Sequence, residues 1–274
     1  MENTKVGEDM RLSIVLIVTS LLLLAIVLPS PAQNVKDKGL ILYFSFDKKD
    51  GNKIKDQTGG GNDGDLEKGR ITTKTLEKVY GKGALEMGDP QSGLTVESFK
   101  ELEEYQDNSY LFWLYFIEGT NGSWSQIIAK KAPGSDRSPG IWICPDTLNI
   151  HWRFNPGNTG CDRCGPDGEG SLFKLKKWYH VAGVKKGSDL FYYVDGKEVA
   201  KKAGQPKDHA QGKEKLYIGK TGYRSATFII DDLYVYDRAL KEKEVNRVKE
   251  GKLLAVAPQD KLTAMWAHIK RKAL

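Results

Sequence analysis

The sequence predicts an all-β fold, a sandwich of two antiparallel sheets, on three observations. Apolar and polar residues alternate in short runs, most clearly over 178–184 and 190–194, which is the period of a strand buried on one face. From Lys38 onward, clusters of Gly, Asn, Asp and Pro separate these runs, as turns separate strands. Helical periodicity is absent until Leu240. Strands this dense, with turn signals between them, make a sandwich or a barrel.

The elements follow in order. Residues 40–47 form the first strand, and 48–65 a polar, Gly-rich loop. Short strands are expected over 83–87 and 93–96, then a strongly apolar one over 109–117. Residues 126–130 and 140–144 come next. In 148–154, Leu148, Ile150, Trp152 and Phe154 share one side, and Asn149, His151 and Arg153 the other. Residues 185–189 are a polar connector between the strands 178–184 and 190–194, and Asp195-Gly196 closes the next hairpin, supplying the positive φ angles of a tight turn. In the last strand Phe228 and Ile230, then Leu233 and Val235, face inward. The parity changes across Asp231-Asp232, where a β-bulge would absorb the extra residue. Residues 241–249 read as one or two helical turns, with Leu240, Val245 and Val248 as apolar contacts.

Both ends lie outside this pattern. Residues 12–28 are an apolar run broken only by Ser13, Thr19 and Ser20, with Ser30 and Ala32 after it, a composition that suits a signal peptide cleaved before Gln33. Met10-Arg11 would itself open such a peptide, because Glu2, Glu8 and Asp9 offset the basic residues before it. The competing reading is an uncleaved membrane anchor, since the run is close to the ~20 residues a span needs. Residues 251–274 form a tail with a second helix, Asp260 as its N-cap, Leu262, Met265, Trp266 and Ile269 at helical spacing, and Lys270-Arg271-Lys272 in its last turn. The expected organisation is a signal peptide over 1–32, a sandwich domain over 38–250 and the tail over 251–274.

Net charge is +6, with basic residues scattered among acidic ones. Nucleic-acid binding wants a concentrated basic patch, so no nucleic-acid partner is expected. Weak attraction to an acidic polysaccharide or an anionic cell surface fits the sign.

Several motifs then occur in a fixed order. Leu42-Tyr43-Phe44-Ser45-Phe46-Asp47 leads to Asp56-Gln57-Thr58-Gly59 and to Gly61-Asn62-Asp63-Gly64. Gly83-Ala84-Leu85-Glu86-Met87, Trp178-Tyr179-His180-Val181-Ala182, Val194-Asp195-Gly196, Leu216-Tyr217-Ile218-Gly219 and Ile230-Asp231-Asp232-Leu233-Tyr234 follow. This series resembles the laminin-G-like (concanavalin A-like) jelly-roll domain, of the kind found in secreted bacterial-type proteins, over about residues 40–248. The resemblance implies the jelly-roll form of the sandwich and a structural role for His180. It also implies first and last strands lying close together, where a structural calcium can bridge them.

Calcium takes oxygen ligands, and Asp47, Asn62, Asp231 and Asp232 lie at strand ends and in Gly-rich loops. The other reading is that these side chains cap turns and the bulge by accepting backbone N–H bonds. Cys161-x-x-Cys164 is half of a zinc site, with Cys144 and His151 as distant candidates. A disulfide fits an oxidising compartment better: Cys144 with Cys161 or Cys164 would pin the loop to its strand, Cys161 with Cys164 would close a short, strained ring, and one cysteine is left over in every pairing.

Ligand candidates are Trp124 and Trp142, as stacking faces, with Asn149, His151 and Arg153 on the polar side of one strand. Core packing or a solvated sheet face are the plain alternatives, and Trp152 and Trp178 read as core. A retaining glycosidase needs two carboxylates about 5–5.5 Å apart, and no strand carries such a set of acids. The expectation is a secreted or cell-envelope, non-catalytic module that binds a glycan or glycoprotein. A protein-interaction or adhesion module is the alternative, and a glycan-active enzyme comes third. Membrane contact is expected only through the N-terminal run, if it is retained.

Overall fold

The computed structural model describes residues 35–74, 79–119, 122–131, 137–145, 147–154, 159–161, 173–204 and 213–255. The chain divides into two compact units, Met1–Gln33 and Asn34–Leu274, and all the described residues belong to the second. The expectations for residues 1–32 and for the helix beyond Asp260 fall outside them.

The strands in chain order are β1 (Leu40–Phe44), β2 (Lys53–Ile54), β3 (Gly64–Lys68), β4 (Arg70–Thr72), β5 (Ala84–Met87), β6 (Gly93–Val96), β7 (Asn108–Phe116), β8 (Ser125–Lys131), β9 (Arg137–Ile143), β10 (Ile150–Phe154), β11 (Thr159–Cys161), β12 (Trp178–Lys186), β13 (Asp189–Val194), β14 (Lys197–Lys202), β15 (Leu216–Gly219), β16 (Arg224–Ser225) and β17 (Phe228–Tyr236). Helix α1 (Lys100–Glu104) precedes β7 and α2 (Glu242–Lys249) follows β17. No helix among the described residues is long and apolar enough to cross a membrane.

One sheet runs β14-β13-β12-β7-β17-β5-β4, with β1 also paired to β17; the other runs β11-β10-β9-β8-β15-β6-β3-β2, with β16 also on β8. All pairs are antiparallel except β16 with β8. The two sheets close on one large core that includes Phe44, Phe112, Phe116, Ile141, Trp152, Phe228 and Val235. A second apolar cluster lies on the outer face of the first sheet, where Leu111, Tyr193, Tyr234 and Tyr236 meet Leu240, Val245 and Val248. Helix α2 covers that face.

The predicted bulge in β17 is present. Register against β7 shifts between Asp231 and Tyr234, and Asp232 takes φ 48°. The shift puts Ile230 and Leu233 in the central core and Tyr234 and Tyr236 in the outer cluster. The hairpin turn also forms as expected, with φ 52° at Asp195 and 80° at Gly196.

Two expectations are corrected. The loop 48–65 carries β2 and the start of β3, whose pairing with β6 rests on backbone hydrogen bonds that leave no apolar alternation in the sequence. One helical turn, α1, precedes Leu240; at five residues it is too short to show a period, and Leu102 is its buried residue.

Candidate functional site

On the outer face of the second sheet, register places Gln126 of β8 opposite Trp142 of β9, and Trp142 opposite His151 of β10. The alternation of β10 sends Ile150 and Trp152 into the core and leaves His151 and Arg153 on this face. The His151 ring lies between two indoles, 4.6 Å from Trp124 and 5.9 Å from Trp142. Trp142 meets Tyr223 edge-on at 5.7 Å. Arg153 Nε donates to His151 Nε2 at 2.5 Å.

The base of the cluster is held firmly. Gln126 Nε2 donates to the carbonyls of Ile128 and Ile141 at 2.8 and 2.7 Å. Its Oε1 accepts from Thr221 Oγ1 at 3.3 Å, and the same hydroxyl accepts the Tyr223 N–H at 3.2 Å. The loop that presents Tyr223 is therefore tied to the sheet that presents Trp142.

Of the five predicted ligand residues, Trp124 and Arg153 come together at the surface, with His151, 8% exposed, buried between the two indoles. Trp142 joins them but is only 4% exposed, because His151 and Tyr223 cover it; it supports the platform and is not itself a surface residue. Asn149 is buried, its Oδ1 accepts the Ile150 N–H at 3.0 Å, and its carbonyl accepts the Cys144 N–H at 2.9 Å. It closes the β9–β10 turn and is not part of the polar face. Tyr223 was not among the candidates. An aromatic residue within the polar turn Lys220-Thr221-Gly222-Tyr223-Arg224 was the signal for it, since a turn gives an apolar ring little to bury against.

The four predicted metal ligands divide. Asp231 and Asp232 are buried. Asp231 Oδ2 accepts the N–H groups of Val79 and Tyr80 at 3.2 and 3.4 Å, and its Oδ1 that of Asp232 at 3.0 Å. Tyr43 of β1 donates its hydroxyl to Asp232 Oδ1 at 2.7 Å, while Asp232 Oδ2 is buried without a hydrogen-bond partner. Burial pushes both carboxyls well above the usual carboxylate range, helped by the Asp232 charge at Asp231 and the Asp47 charge at Asp232. Asp47 is thus a neighbour of the pair, and its carboxylate accepts the Lys82 N–H. Asn62 sits elsewhere, in the turn built on Asp56, where its N–H reaches Asp56 Oδ2 at 3.3 Å. Among the described residues no three acidic, His or Cys side chains converge as a metal site.

Cys144 is buried at the end of β9 and Cys161 belongs to β11. Cys164 lies outside the described residues, and so does most of the loop around it.

The family model of the laminin G-like type, within the concanavalin A-like lectin/glucanases superfamily, matches residues 88–246. The chain belongs to this family. Among curated proteins none matches. Solved structures with the same fold include the binding domain of Paraclostridial Mosquitocidal Protein 1, at TM-score 0.59 and 16% identity over 78% of this chain and 52% of that one. Trypanosoma rangeli sialidase in complex with sialic acid follows, at TM-score 0.58 and 16% identity over 78% of this chain and 33% of the sialidase. The receptor binding domain of botulinum neurotoxin D gives TM-score 0.57 and 14% identity over 78% of this chain and 53% of that domain. This chain therefore spans a third to about half of those proteins.

Proposed function

We propose that this laminin-G-like chain is an exported, non-catalytic module that binds carbohydrate on a glycosylated surface. The convergence of Trp124, Tyr223, His151 and Arg153 on one sheet face carries the reading. Trp124 and Tyr223 are 38% and 40% exposed, so each offers a ring face to stack on the apolar face of a sugar. Arg153 supplies a polar group beside them, seated on the buried His151. Sites of this kind are mostly apolar with a few fixed polar groups. None of the cluster's named side chains is a carboxylate, and the adjacent aspartates of β17 are buried in the opposite sheet. Both points favour binding over hydrolysis.

A glycan array probed with the full chain, with calcium and again with chelator, tests the reading. Saturable binding to a defined glycan is expected, weakened about tenfold by Trp124→Ala or Tyr223→Ala. Binding that both variants leave intact would move the site elsewhere. Silence from protein shown to be folded would favour a protein partner.

A structural calcium is proposed beside the Asp231–Asp232 bulge. The donor chemistry fits in part: Asp232 Oδ2 is a buried carboxylate oxygen without a partner, with Asp47 near it. Asp232 and Asp47 would hold the ion, and Asn62 would not. The ion would neutralise a buried acidic pair and bind β1 to β17.

A further inference from the structure

We propose that one end of the sandwich docks on an anionic lipid bilayer. The large hydrophobic residues exposed among the described residues are Trp124, Leu175 and Tyr223, at 38%, 45% and 40%, and all three lie at that end. Strand β7 finishes there at Phe116, β12 begins opposite Tyr115, and β17 begins opposite Phe116. The Ile117 N–H reaches Thr227 O at 3.1 Å, the Lys176 N–H reaches Phe116 O at 2.8 Å, and Arg224 pairs with Ser125 beside Trp124. Residues 117–119 and 122–124, with the loops 173–177 and 220–227, thus form one rim.

That rim is basic. Its three loops carry Lys174, Lys176, Lys177, Lys220 and Arg224 against the single acid Glu118. All five cations are exposed, and the described residues give none of them an ion-pair partner. Lys177 Nζ lies over the Tyr179 ring at 4.8 Å.

Leu175 decides between a bilayer and an acidic polysaccharide. It sits at the tip of a turn, where a polar residue is the norm, and the turn is fixed on both sides. Phe173 packs against Phe116 and Tyr179 at 5.7 and 5.1 Å, and the Lys174 N–H donates to Tyr179 Oη at 3.0 Å. Leu175 is therefore held outward, ringed by lysines. A branched aliphatic tip offers a sugar neither a stacking face nor a hydrogen bond. It suits the acyl boundary of a bilayer, with ammonium groups at the headgroups and Trp and Tyr at the interface. The amino-acid sequence places membrane contact only in the N-terminal apolar run, whereas the sandwich presents a second, independent surface.

Sedimentation of the full chain with phosphatidylglycerol–phosphatidylcholine vesicles and with pure phosphatidylcholine vesicles tests this, because the N-terminal run is common to both arms. Partition onto the anionic vesicles is expected to dominate and to fall with salt. Leu175→Ser should lower it about tenfold, and removal of Lys174 and Lys177 should lower it about fivefold per lysine. These side chains are exposed, so the variants should unfold at the wild-type temperature, which is checked by melting. Equal partition on the two vesicle types overturns the proposal. So does an anionic preference that Leu175→Ser leaves unchanged, and a soluble sulfated polysaccharide binding the Leu175→Ser protein as well as wild type then identifies a polyanion as the occupant.

Discussion

Gly183 of β12 has no side chain where Trp152 arrives from the opposite sheet. A Cβ there would lie 2.4 Å from Trp152 Cζ2. The indole cannot retreat, because it is fully buried and packed against Phe112 and Tyr192 at ring separations of 6.2 and 5.5 Å. Gly183→Ala is therefore expected to destabilise the protein by about 1–3 kcal/mol, measured by chemical unfolding. Single residues are also where the sequence was hardest to read. Alternation put Asn149 on an outer face, and Trp142 was read as a surface stacking face, but a strand pattern does not tell which outer positions are covered. Tyr223 comes from a distant loop to close over Trp142, and Asn149 turns into its own backbone. Both outcomes depend on tertiary neighbours that a period-two pattern does not contain.

At the scale of elements, the pattern succeeds wherever one face is apolar. Strands β7 and β12 are buried on both faces: β7 was legible as a continuous apolar run, and the alternation in β12 did not mark a solvent-facing side. Strands β10 and β13 were legible because each carries its own record of which side is buried. The bulge in β17 was legible for the same reason: the change of parity at Asp231-Asp232 is printed in the order of apolar residues. Two-residue strands such as β2 and β16 are too short to show a period, although Ile54 of β2 is buried in the core. Helix α2 was visible through Val245 and Val248, and the fold shows what it does. It covers the tyrosine-rich outer face, with Glu242 and Glu244 in its first turn and Arg247 and Lys249 in its last, the charge order that suits a helix dipole. Gly196 lets it approach, since a Cβ there would lie 2.0 Å from Asn246 Oδ1. Val245→Ala leaves a cavity beneath the helix and is expected to cost about 2 kcal/mol. A smaller loss in chemical unfolding would mean that α2 is only loosely attached.

At the scale of the whole molecule, the buried acids of β17 set how stability follows pH. Asp231 and Asp232 hold their protons more tightly folded than unfolded, because burial penalises their charged forms. Their contribution is therefore fully present below the ordinary carboxylate pKa of about 4 and is lost as pH rises through neutrality. His180 works in the opposite sense. Burial, with the Lys249 charge, pushes its imidazole down to about 3, so its contribution is present above the ordinary imidazole pKa of about 6.5 and is lost as pH falls from there through the folded value of about 3. The two windows overlap, and a variant separates them. Asp232→Asn keeps an oxygen for the Tyr43 hydroxyl and places an uncharged amide where Oδ2 has no partner. In chelator, its melting temperature should match wild type near pH 4 and exceed it by several degrees near pH 8. Calcium should raise the wild-type melting temperature at pH 8, narrowing that gap, and leave the variant where it is. If calcium moves neither protein, Asp232 is a buried acid without an ion, and the Tyr43 hydroxyl is its side-chain link to β1 beside the backbone pairing of β1 with β17.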